Sequence, residues 1–405
     1  PPLFFLMIRL PPRPTLFPYT TLFRSMTMGM AMPAMAAEGA TAPDTINNAK
    51  EAYISKTYQT EVNKPMEFKF EATQVVESTR EDLVKNNLTC TIPSIKFEST
   101  DLNAGEGTYT KLSEKITFGA FTEAGKYEYT VKESATTVPT VTDSAYEKLI
   151  MSKAEYTMDV YVVEDNDGNF NIEKIIVTKT KNDDGTDADG GKVDIGGDDA
   201  GKNGFNFVNT YVQEAGTGTP DPTKPDPDYT KYGALNVSKK VIQNVTDTAE
   251  LPTKKFDFTA NFEFPAGTDA ATLGGVKGNG SDVTLKNGQC TFQLGHNENM
   301  KFTGLPVGTK ITVTEAAKAN YKGSAKVTIN GVEQTAITAT KYNEEIKVEN
   351  KKLGQKKNTV DVTNRYNNVP TTGIIMNTLP YVLMIALCGA ALTAFVAFKR
   401  KKAQR

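Results

Sequence analysis

The sequence predicts an all-β protein, two β-sandwich domains in tandem, followed by one C-terminal transmembrane helix. Three observations carry that expectation. Short runs at 68–70, 127–131, 156–162 and 256–259 broadly alternate apolar and polar residues with a period of two, and Gly, Asn and Asp turns separate them. Residues 214–231, rich in Gly, Thr, Pro and Asp, divide this β pattern into two blocks. Residues 381–398 are predominantly apolar and long enough to cross a bilayer as a helix, and Lys399, Arg400, Lys401, Lys402 and Arg405 hold the end on the cytoplasmic side.

Taken from the N-terminus, residues 1–25 resemble translated sequencing-adaptor read-through and are set aside from fold reasoning. Residues 26–37 read as the remnant of a signal peptide, whose Ala34-Met35-Ala36 has the small-x-small pattern of a cleavage site, so an exported chain is expected. The first domain is placed at 45–213, the linker at 214–231 and the second domain at 232–367. Within the first domain, 164–169 reads as a hairpin turn and 144–154 as a short helix. The Gly- and Asp-rich stretch 183–204 lacks EF-hand spacing and is expected to be a solvated loop. Repeated prolines predict an extended, semi-rigid spacer at the linker.

Composition narrows the function. The 405 residues carry 46 Lys and Arg against 48 Asp and Glu, a balance that gives no reason to expect nucleic acid. One histidine and no tryptophan remove a Ser/His/Asp triad in a recognisable context, the His-Glu-x-x-His helix and multi-His metal sites. No metal, no cofactor and no steady-state enzyme activity are expected, and His296 reads as part of a polar turn. Cys90, Cys290 and Cys388 lie in separate regions, so no intradomain disulfide framework is available. An exported domain without disulfides needs another source of rigidity.

That source is suggested by three polar residues that recur in order. Lys56 shares a strand face with Ile54 and Tyr58, and Lys239 shares one with Leu235, Val237 and Val241. Glu133 follows Tyr129 and Val131, and Glu315 follows Ile311 and Val313, at intervals from the lysines that agree to within one residue. Asn209 follows Phe207, and Asn364 follows Val362, each two residues before a tyrosine in the last strand of its domain. Alternation turns all six inward, whereas Lys240 and Asn206 fall off the core face. Desolvation lowers a lysine pKa and raises a glutamate pKa, so a proton can pass from amine to carboxylate inside a core. The neutral amine is then a nucleophile, and the protonated glutamate is expected to hydrogen-bond the asparagine carboxamide oxygen, polarising its carbon. Loss of ammonia leaves a Lys–Asn isopeptide bond, made once per domain.

With these residues in place, 45–373 resembles the backbone pilins of Gram-positive bacteria, of the FctA or T-antigen type. The resemblance implies immunoglobulin-like domains with self-formed isopeptide bonds, in which Lys56, Glu133 and Asn209, then Lys239, Glu315 and Asn364, are linking lysine, catalytic acid and asparagine. Residues 315–321 resemble the pilin E-box without its usual proline and glycine. The motif Val369-Pro370-Thr371-Thr372-Gly373, ahead of the apolar run and basic tail at 369–405, resembles the sortase sorting signal Leu-Pro-x-Thr-Gly with valine in place of leucine.

The sorting resemblance implies cleavage between Thr372 and Gly373, a transient membrane anchor and covalent attachment at the cell surface, with sortase and either other pilin subunits or peptidoglycan as partners. The acceptor lysine of relatives precedes the bond-forming asparagine, which nominates Lys202 and, next, Lys192. The alternative is a monomeric wall-anchored adhesin that binds a host surface ligand. An internal thioester at Cys290-Thr291-Phe292-Gln293 lacks the needed context.

Overall fold

The computed structural model describes residues 48–75, 88–103, 106–243 and 254–366, together with 384, 385, 387, 388 and 391. The signal-peptide remnant, the sorting motif and most of the expected membrane helix lie outside the described residues. Among the described residues no helix is long and apolar enough to cross a membrane.

The described chain is dominated by strands, arranged as two sandwiches that share no sheet. In the first, one sheet runs Thr108–Leu112, Ser55–Thr60, Asn206–Gln213, Glu147–Ile150. The facing sheet runs Phe170–Lys181, Glu155–Glu164, Gly125–Val138, Met66–Gln74, Ile95–Phe97. The second sandwich sets Leu235–Ile242, Thr359–Tyr366 and Tyr321–Ile329 side by side. Opposite them lie Gln289–Leu294, Phe256–Glu263, Lys310–Glu315 and Ile346–Lys352.

In both sandwiches the first and last strands are neighbours and run parallel. This is the arrangement that decides the site. Because side chains alternate across a strand, Phe68, Phe70, Tyr129, Val131 and Phe207 fill one core and Phe256, Phe258, Val313 and Val362 the other. The hairpin expected at 164–169 is present: Asp165 and Asn169 close the turn, and Gly168 takes a left-handed φ of 81°.

Two local expectations are corrected and one is refined. The stretch expected as a short helix holds the edge strand Glu147–Ile150, since pairing with the last strand gives its backbone sheet partners. The stretch 183–204 is the loop expected, mostly solvent-facing, but it is tied down rather than free: Val193 N donates to Val177 O, Ile195 is buried, and the Asn203 amide donates to Tyr53 and Gly196 carbonyls. The linker is packed rather than an extended spacer. Its backbone bonds to the second sandwich from Ala215 N to Leu305 O, Gly216 N to Gly354 O and Gly218 N to Gln355 O. It also contains the helix Pro227–Tyr232, capped by the Asp226 side chain on Tyr229 N, with proline in the first turn and Gly233 at the end. Asp followed by Pro is a helix-start signal that the proline count obscured.

Across this joint Glu61 pairs with Lys352 at 2.6 Å, and the Gln355 amide donates to Gln213 Oε1.

Candidate functional site

Each sandwich holds one buried Lys–Glu–Asn group between its sheets. The lysine and asparagine come from the parallel first and last strands, and the glutamate reaches across from the facing sheet. Lys56 pairs in register with Phe207, so Asn209 lies two residues beyond it; Lys239 pairs with Val362, so Asn364 lies two beyond in the same way. Glu133 pairs with Phe70, and Glu315 with Phe258. The lysine ammonium stands over the phenylalanine two residues earlier, 4.5 Å from the Phe68 ring centre and 4.1 Å from that of Phe256. Two sandwiches with little common sequence thus repeat one constellation, register included.

In the first domain, Lys56 Nζ is 2.8 Å from Glu133 Oε1 and donates to Phe207 O at 3.1 Å. Asn209 Nδ2 donates to the same Glu133 Oε1 at 3.0 Å. Both ion-pair side chains are 0% exposed. In the second, Lys239 Nζ donates to Glu315 Oε1 and Oε2 at 3.0 and 2.9 Å, and Asn364 Nδ2 makes a short bond to Glu315 Oε1. In both domains it is the carboxamide nitrogen that meets the carboxyl group. An ionised carboxylate only accepts, so the –NH2 group is the donor it takes here; the bond to the asparagine oxygen is expected of the protonated glutamate.

Electrostatics follow from burial. Desolvation pushes the Lys56 and Lys239 amines down to about 8, against the opposite pull of Glu133 and Glu315. The same desolvation raises both glutamates above the usual carboxylate range, against the pull of the lysines. Each shift moves the pair toward neutral amine and neutral acid. Replacing a buried ion pair with hydrocarbon of similar volume is often neutral or stabilising, so such a pair is weak evidence of a stabilising contact.

Neighbouring residues were not picked out from the sequence. Asp183, from the stretch expected to be solvent-facing, accepts Val208 N and the Ser152 hydroxyl beside Asn209, at 2.8 and 2.6 Å. Gly323 pairs with Asn364, and a Cβ there would lie 2.4 Å from Ile346 Cγ1 and 3.0 Å from Asn364 Oδ1. Gly323→Val is expected to disturb the second site alone and to destabilise its domain by about 1–3 kcal/mol, as overpacking does; chemical denaturation and domain-resolved peptide mass spectrometry check it.

The remaining sequence candidates separate cleanly. Lys240 is exposed, and Asn206 instead accepts from the Thr57 hydroxyl on the other face. Lys202 and Lys192 are exposed in the 183–204 stretch; the Lys202 side chain is 81% exposed and pairs with Asp199. His296 Nδ1 accepts Val241 N, tying its turn to the first strand of the second sandwich. Cys290 is buried, whereas Gln293 of the same strand is exposed and donates to Asp257, so the two do not meet. Among the described residues no group of three or more His, Cys, Asp or Glu could hold a metal ion.

Residues 233–366, the second sandwich, match a family model described as a domain of unknown function (DUF7601). No curated protein sequence matches the chain. Among solved structures, the chain is similar to the major pilin from Streptococcus pyogenes, at 18% identity over 79% of this chain and 99% of that one, with a TM-score of 0.32. It is also similar to the major pilin protein T-13 of Streptococcus pyogenes, at 19% identity over 79% and 98% of the two chains, TM-score 0.30. A third likeness, to the major pilin protein T3.2 of the same organism, has 21% identity over 78% and 99%, TM-score 0.28.

Proposed function

We propose that this chain is a structural surface protein, a pilus backbone subunit joined to its neighbours by sortase, whose sandwiches are stiffened by Lys56–Asn209 and Lys239–Asn364 isopeptide bonds. The observation that carries the reading is the repeated buried constellation, with the same strand register in both domains. Glu133 Oε1 touches both the amine that must lose a proton and the carboxamide nitrogen that must leave, so one oxygen can relay the proton between them. The amine attacks Asn209 Cγ, the C–Nδ2 bond breaks, and the protonated lysine plus carboxamide become an amide plus ammonium, with Glu133 returned as carboxylate. Glu315 Oε1 has the same two neighbours. Each site turns over once and needs no cofactor.

The location of these bonds supports a mechanical role. They tie the first strand of each sandwich to the last, so a pull on the termini would run through covalent bonds rather than through sheet hydrogen bonds alone. Intact mass tests the chemistry: each domain is expected to be lighter by one ammonia, about 17 Da. An unshifted mass for both domains would refute it.

Assembly rests on the motif 369–373 and on an accessible acceptor lysine. Lys202 is exposed on the stretch that leads into the bond-bearing last strand. Extracts of the cell wall are expected to show a ladder of high-mass species that collapses in Lys202→Ala; a ladder lost only in Lys192→Ala would move the junction there. A single anchored band from the unaltered chain would instead favour the monomeric adhesin.

A further inference from the structure

The two sites differ at one atom that the reaction must charge. Attack on the asparagine carbon places negative charge on Oδ1. In the first domain that oxygen already accepts the backbone N–H of Ser152 at 2.7 Å. In the second, Asn364 Oδ1 is buried and has no hydrogen-bond partner among the described residues.

The Ser152 donor is held in place. Its hydroxyl donates to Asp183 Oδ1 at 2.6 Å and accepts Ala154 N, while Lys153 N donates to Asp183 O at 3.0 Å. Asp183 Oδ1 also accepts Val208 N, one residue before Asn209, so a single carboxylate fixes the donor and the backbone that carries its target. The orientation of the Asn209 amide is over-determined. Reversing it would set –NH2 against the Ser152 N–H and an oxygen against Glu133. Met151 Sδ lies 3.2 Å from Asn209 Nδ2, on the leaving-group side.

Resting on the isopeptide reading above, we propose that the Ser152 N–H is an oxyanion donor for the first cross-link, that Asp183 is its positioning residue, and that the first domain therefore closes its bond faster than the second. As Lys56 Nζ bonds to Asn209 Cγ, the C=O pair moves onto Oδ1 and is met by a preformed donor; it returns as Nδ2 departs with the proton relayed by Glu133. In the second domain the developing charge meets no preformed donor among the described residues, and the Glu315 relay operates without one. Preorganised donors act where charge develops and need no reorganisation during the step.

The test follows both bonds in one full-length chain. Chains made by cell-free translation are acid-quenched at intervals and digested, and the Lys56–Asn209 and Lys239–Asn364 peptides are quantified separately. The first bond is expected to form faster. Replacing Ser152 with its α-hydroxy acid analogue exchanges the N–H for an ester oxygen, and it is expected to slow the first bond by about 100-fold or more. The second bond serves as an internal clock and keeps its rate, and the pH profile of the first keeps its shape because Lys56 and Glu133 are untouched. Asp183→Ala should slow the first bond, and Asp183→Asn, which still accepts both donors, should restore much of the rate. An ester chain that closes its first bond at the unmodified rate overturns the proposal, as does one that slows both bonds together, which would mark a general folding defect. If neither bond forms in the unaltered chain, the isopeptide reading falls, and this one with it.

Discussion

Asn209→Ala and Asn364→Ala are each expected to lower the stability of their own domain by about 5 kcal/mol, because the bond closes a loop of about 150 or 125 residues and such closure removes chain entropy from the unfolded state. In these variants the lysine stays a free amine paired with its glutamate, and Asn209→Ala also leaves the Ser152 N–H without its acceptor, so the measured loss combines the cross-link with these smaller terms. Glu133→Ala and Glu315→Ala should lose more. They prevent the reaction and also leave an unpartnered lysine in the core, for which a further cost of about 3–5 kcal/mol is typical. Urea unfolding, followed separately for the two domains, measures both steps. Retained ammonia in the intact mass reports whether the bond has formed. An Asn209→Ala chain that unfolds at the same urea concentration as the unaltered protein would show that no cross-link was there to lose.

Raising the pH is expected to weaken the joint between the sandwiches, and Glu214→Gln should remove most of that dependence. Glu214 is 2% exposed; its Oε1 accepts Gly304 N at 2.6 Å, and the Tyr229 hydroxyl donates to it. Burial pushes its carboxyl group up to about 7, and both donors only partly oppose that rise. Asp143, Lys148 and Lys277 line the same cleft of about 550 Å³ between the sandwiches. Since the folded-state value is the higher one, the contribution is fully present below the ordinary value of 4.5 and disappears as pH rises through about 7. The expected loss across that interval is about 3 kcal/mol, from the free-energy equivalent of one pKa unit. Unfolding midpoints at pH 5 and pH 8 check it. A joint that is equally stable at both would contradict the assignment.

Much of the site is legible in the sequence. Lys56, Lys239, Asn209 and Asn364 stand inward where the apolar alternation of their own strands places them, and Lys240 and Asn206 face away for the same reason. The recurrence of the triplet in both blocks carried the rest, since either lysine alone would pass for a surface residue. Proline content by itself predicts an extended spacer at the linker, whereas Asp226-Pro227 acts by position, as cap and first turn.

Alternation is a local property: it depends on the backbone geometry of one strand, and a single sequence carries it in full. Inward direction, the two-block organisation and the chemical types at each site were therefore set by the chain alone. Register and sheet partnership are not local. They arise when strands distant in the chain meet, and they put each asparagine two residues beyond its lysine's partner and each glutamate across the core. The same holds for the turn of the Asn209 amide, decided by the Ser152 N–H on one side and Glu133 on the other. Hydrogen-bond direction is a contest among all donors and acceptors present at one point, and only the folded chain brings them there.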